Sequence, residues 1–153
     1  MREIDEGLVR DKFGVIWPEH VETLTRFLIE CRRHFRGDLD LFLVLCVIGD
    51  RTFSRENTPP EMTYDDFNDP LNNPVVPEGL NSRSIADFSG IPRETVRRKV
   101  QDLVGLGWVL RDENGHLRAT DKARTDLLPV TEASFKYIVS MGRTLLLASR
   151  SAG

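Results

Sequence analysis

The spacing of apolar positions changes several times along the chain, and each change marks an element. Val21, Leu24, Leu28 and Cys31 or Phe35 recur at helical spacing, so the segment opened by Trp17-Pro18 and closed by Gly37 predicts a helix through Arg36. Asp38 can cap a second helix to about Asp50, and its near-continuous apolar content predicts burial on most sides. Between Arg51 and Leu80 the pattern dissolves. Pro59-Pro60, Asp69-Pro70, Asn72-Asn73-Pro74 and Pro77 punctuate a long irregular connection, richer in acids than bases, with a helical turn near Tyr64 to Phe67. From Asp121 the chain returns to helix; Pro129 interrupts it, and Thr131 can cap a last helix to about Ser149. Its Phe135, Ile138, Val139, Leu145 and Leu146 exceed what a lone surface helix needs.

The segment from Ser82 to Thr120 carries the most specific pattern. Asn81 or Ser82 can cap a short helix whose apolar stripe is Ile85 and Phe88, with Ala86 keeping one face small enough for another helix to cross. Gly90 stops it, because a residue just past a helix end needs positive φ. Pro92 fits the first turn of a following helix, over 92–106, in which Val96, Val100 and Leu103 fall on one buried stripe. Glu94, Arg97, Arg98 and Gln101 project from the opposite side, with Arg93 at the exposed start. After Gly105 and Gly107, Trp108–Arg111 and His116–Ala119 read as two strands around Asp112-Glu113-Asn114-Gly115, where both Asn114 and Gly115 tolerate positive φ. Two helices hinged on a glycine and followed by a hairpin make a winged helix-turn-helix. The expected fold class is therefore mainly α with a small β-hairpin, a winged helix-turn-helix with N- and C-terminal flanking helices.

The run Gly90-Ile91-Pro92-Arg93-Glu94-Thr95-Val96-Arg97-Arg98 resembles the recognition helix of Crp/Fnr-type regulators, whose pattern is G-x-S-R-E-T-V-x-R. The hairpin followed by Ala119-Thr120-Asp121-Lys122-Ala123 is similar to the wing and exit of MarR-type and other small bacterial winged-helix regulators. The resemblance implies that Arg93, Glu94 and Arg98 meet base edges and that Arg97 lies nearer the phosphates. The chemistry agrees, since an arginine fork matches guanine O6 and N7 and a carboxylate accepts from cytosine N4. Two positions depart from the pattern: Pro92 stands where a capping serine is usual, and Lys99 where an apolar residue is preferred. The upstream chain also lacks the short alternating strands of a cyclic-nucleotide sensor barrel. The expected DNA-binding set is Ser82, Arg83, Pro92, Arg93, Glu94, Thr95, Arg97, Arg98 and Gln101, with Arg111, His116 and Arg118 from the wing.

Composition bounds the rest. The 153 residues, 40% hydrophobic and 29% charged, suit one compact domain plus appendages. The expected organisation is a helical extension over 1–37, the winged domain over 38–125 with the irregular insert 51–80, and a dimerising helix over 126–153. Although the net charge is −3, Ser82 to Arg124 holds nine Lys/Arg against six acids, leaving −6 on the remainder. A basic head on an acidic body fits a specific DNA binder, and a surplus of three charges per subunit favours a homodimer on a palindromic operator. The charged N-terminus, the short apolar run Leu41 to Ile48 and only two cysteines point to the cytoplasm and away from a membrane.

Each functional reading has a rival. Arg97-Arg98-Lys99 can be a solvated helix face, and His116 and Arg118 a solvated hairpin tip. Cys31, His34 and Cys46 lack an evident fourth ligand, the two cysteines reading as core residues of apolar helices, and Asp65-Asp66 reads as a solvated acidic loop. No motif implies a metal, a cofactor or a nucleophile–base pair, so an enzyme is the least favoured class. The leading function is a sequence-specific transcriptional regulator. The alternative is a winged-helix protein–protein interaction module without direct DNA binding. No residue pattern names an effector.

Overall fold

The structure, a computed structural model, describes residues 1–72 and 80–151. Asn73, Pro74 and Pro77 of the expected irregular connection lie outside the described residues. In chain order the elements are α1 (Glu6–Asp11), α2 (Phe13–His34), α3 (Leu39–Thr52), α4 (Tyr64–Asn68), a 3-10 turn (Pro70–Asn72), α5 (Ser82–Ser89), α6 (Arg93–Gly105), β1 (Val109–Arg111), β2 (Leu117–Ala119), α7 (Asp121–Asp126) and α8 (Leu128–Ser151). The architecture is mainly helical with one small antiparallel sheet. It divides into two compact units, one of Met1–Arg36 with the chain from Leu128 on, the other of Gly37–Leu127.

In the first unit the two segments that the sequence treats as separate flanks pair with each other: α2 packs along α8. Tyr137 stacks on Phe27 and its hydroxyl lies 3.4 Å from His20 Nδ1, while Ser140 donates to Glu19. Two prolines sit differently from expectation. Pro18 does not open α2 but lies inside it, five residues after Phe13, where only the single bond that its missing N–H would have made to Gly14 is lost. The expected helix break is present, but it falls at Leu127, between α7 and α8, and not at Pro129. Pro129 is the second residue of α8, where an N–H has no intrahelical acceptor in any case. The side chains buried on α2 are Ile16 and Cys31, whereas Val21 and Leu28, at helical spacing with Cys31, are exposed. Burial pushes the Cys31 thiol up to about 11, so it stays protonated at neutral pH.

The second unit is built around α3. Asp38 caps it by accepting from the Leu41 backbone N–H at 2.9 Å. Leu41, Val44, Val47 and Ile48 are buried, and α3 contacts α5, α6 and β2. Its expected burial on most sides is limited to this face, for Leu39, Leu43 and Cys46 form an exposed stripe. Ile85 and Ala86 of α5, Val96, Val100 and Leu103 of α6, and Val109 and Leu117 of the hairpin complete the core. Each wholly buried aliphatic side chain contributes roughly 1.5–3 kcal/mol.

The helical turn expected near Tyr64 is α4, opened by a capping box in which Thr63 and Asp66 satisfy each other's backbone N–H groups. Arg124 of α7 donates to the Phe67 carbonyl and lies over its ring, 4.8 Å from the centroid, holding the described end of the insert against α7.

Candidate nucleic-acid interface

The segment from Leu80 to Thr120 forms its elements largely from local signals. Asn81 caps α5, accepting from the Ser84 N–H at 2.9 Å. Gly90 ends it at φ +74°, with its N–H on the Ala86 carbonyl. Pro92 is the cap residue of α6 rather than its first helical residue, at φ −56° and ψ 139°, and no side chain bonds the first turn. Val96, Val100 and Leu103 are fully buried, as the stripe requires. Phe88 is not part of the α5 core. It is 73% exposed, because the buried face runs through Ile85 and Ala86 and Phe88 lies about 110° from its centre at 100° per residue.

Leu103 O accepts from the Trp108 N–H, so the chain passes directly from α6 into the hairpin. Trp108 is buried and its indole N–H donates to Asp126 at 2.9 Å. The strand pairs are Val109 with Ala119, Leu110 with Arg118, and Arg111 with Leu117. Leu117 is also bonded to Leu80, its N–H donating to the Leu80 carbonyl at 2.8 Å, which ties the hairpin to the residue pair that opens α5. The turn works differently from the expected one. Gly115, at φ +79°, adopts positive φ and Asn114 does not; Asp112 instead accepts from the Asn114 and His116 N–H groups at 2.8 and 2.9 Å. Those bonds, the His116 N–H first, hold the Asp112 carboxyl below the usual range.

On α6, Glu94, Arg97, Arg98 and Gln101 are exposed away from the buried stripe, Arg93 is exposed at the helix start, and Thr95 is half-buried at the stripe's margin. Glu94 and Arg97 form a forked ion pair, with Nε donating to Oε2 at 2.9 Å and Nη2 to Oε1 at 2.6 Å. This pairing holds the Glu94 carboxyl below its ordinary range and raises the Arg97 guanidinium. Arg93 lies 3.9 Å from Asp87 of α5. Ser82 is half-buried at the start of α5, and Arg83 and Pro92 are exposed.

Arg111, His116 and Arg118 of the hairpin do not share one face. Strand alternation puts Arg118 outward beside Leu110, whereas Arg111, exposed at the end of β1, has the parity of buried Val109 and stands opposite buried Leu117. The His116 ring, half-buried, is 3.5 Å from Asp112 of its own turn.

Sequence reading missed the partner of Lys99. Its ammonium pairs with Asp38, the residue that caps α3, so a lysine at an expected apolar position clamps α6 to the start of α3. Burial alone pushes the Asp38 carboxyl up; the bonds from Lys99 and from the Leu41 N–H outweigh that and hold it low. Lys99 breaking the stripe was the available signal, but its partner lies 61 residues away.

No protein-family model, curated protein or solved structure matches the chain. Among the described residues no helix is long and apolar enough to cross a membrane.

Proposed function

We propose that the Gly37–Leu127 unit is a winged helix-turn-helix that binds double-stranded DNA with sequence specificity, and that the protein is a transcriptional regulator. In this reading α6 enters the major groove and the hairpin approaches the backbone or the minor groove. The observation that carries it is the exposed Glu94, Arg98 and Gln101 stripe on a helix whose opposite side is fully buried. Such a helix is rigidly backed and presents two base-reading side-chain types, an arginine for guanine and an amide for adenine. The left-handed Gly90 between α5 and α6 and the Leu117–Leu80 link support the same topology.

The functional species is a homodimer on a palindromic site. Leu128, Phe135, Val139 and Leu146 recur on the side of α8 opposite Tyr137 and Ser140, which meet α2, and all four are exposed. Glu132, Lys136, Arg143 and Arg150 line one flank of that stripe. When two copies of α8 pair antiparallel, the same flank of each faces the other, so Glu132 meets Arg143 or Arg150 of the second copy. The apolar stripe and its charge order therefore fit this chain as its own partner.

Salt titration of binding to duplex DNA tests the reading. Affinity falls steeply, with a log–log slope near the number of phosphates neutralised. A protein-interaction module predicts no retention of duplex even at low salt.

A further inference from the structure

The Glu94–Arg97 pair carries more than its two separate charges. Both residues are exposed on α6, one turn apart, and their forked bonds use Nε and one N–H of Nη2. Three guanidinium N–H groups remain, and each carboxylate oxygen keeps a second lone pair. The pair thus presents donors beside an acceptor in one fixed arrangement. In the major groove a G·C base pair shows the complement: the acceptors N7 and O6 on guanine beside the N4 donor on cytosine.

Building on the DNA-binding reading above, we infer that Glu94 and Arg97 act as one reading unit for a G·C base pair. Arg97 donates to the guanine edge while Glu94 accepts from cytosine N4, and the ion pair between them fixes the spacing. Arg97 is then a specificity residue, in place of the phosphate contact that the resemblance implies for it. Electrostatics favours the revision. A guanidinium that moves to a phosphate while held by Glu94 brings a carboxylate toward a second anion, whereas one on a guanine edge keeps the carboxylate beside a donor. Arg98 has no such tether: among the described residues it forms no ion pair, and it remains available to a second base or to the backbone.

A double-mutant cycle on base discrimination is the test. Wild-type protein first selects a duplex from a randomised pool. Its affinity for that duplex, and for versions changed one base pair at a time, is compared with Glu94→Ala, Arg97→Ala, Arg97→Lys and the Glu94→Ala/Arg97→Ala double variant. Circular dichroism and melting confirm that each variant is folded, as their exposed positions lead one to expect. Both single alanine variants lose about tenfold to a hundredfold discrimination at the same G·C pair, and the double variant loses no more than either. Arg97→Lys matches Arg97→Ala, because an ammonium cannot make the fork. The slope of affinity against salt stays unchanged in Arg97→Ala. The inference is overturned if Arg97→Ala weakens every duplex equally and lowers that slope by about one phosphate, or if the two residues affect different base pairs. If the folded wild-type protein enriches no sequence at all, the DNA-binding reading fails with it.

Discussion

Asp38 shows how one side chain joins two jobs. Its Oδ1 caps α3 through the Leu41 N–H, and its Oδ2 accepts from Lys99 of α6. Asp38→Ala removes both and lowers stability by about 1–2 kcal/mol, read from urea midpoints. Asp38→Asn keeps the cap and loses the charge, so it costs less. The folded carboxyl lies below its ordinary 3.8, so its contribution is complete above that pH and is lost as pH falls through 3.8 toward the folded value. Wild type therefore loses more stability between pH 6 and about pH 3 than Asp38→Asn does, and equal losses contradict the pairing. On the exposed side of α6, Arg98→Ala should cost about 1–3 kcal/mol of discrimination at one base pair while leaving stability unchanged.

Among the elements, those set by local chemistry were legible. The Asn81 cap, the Gly90 stop and the Val96–Val100–Leu103 stripe each depend on residues within a few positions, and the structure has them as read. Helix ends set by neighbours were not. Pro18 looked like a start, yet α2 begins at Phe13, and the break expected at Pro129 falls at Leu127, so that α8 begins before both Pro129 and the expected cap Thr131. Which apolar face is buried was also undetermined by periodicity alone: Phe88 and Val21 lie at helical spacing with true core residues but face outward. Gly90 supplies a check on the turn. A Cβ there meets no atom within 4 Å, so Gly90→Ala is opposed only by the left-handed backbone at φ +74°. It should cost about 1–2 kcal/mol, and Gly90→Asn less, in chemical denaturation. A neutral Gly90→Ala contradicts the assigned turn.

For the molecule as a whole, the pairing of α2 with α8 absorbs one apolar face of each helix and leaves another uncovered. Leu128, Phe135, Val139 and Leu146 stay exposed along one side of α8, Val139 to 58%, and a contiguous apolar stripe of this kind marks an interaction surface. Light scattering over a dilution series should give a dimer mass, and Val139→Glu should give the monomer without loss of helix content. A wild-type monomer at micromolar concentration contradicts the self-pairing. The sequence showed the surplus but not its division between an internal partner and an external one, because a helical wheel ranks faces without saying what covers them.

Binding-site selection from a randomised duplex pool with the full-length protein bears most directly on the proposed role. The expected result is one enriched motif, with two inverted half-sites about 10 base pairs apart or a multiple of that, whose preference at one base pair of each half-site is lost in Arg98→Ala with the fold intact. Failure of the folded wild-type protein to enrich any motif at low salt, or a motif equally enriched by Arg98→Ala, contradicts DNA reading by α6.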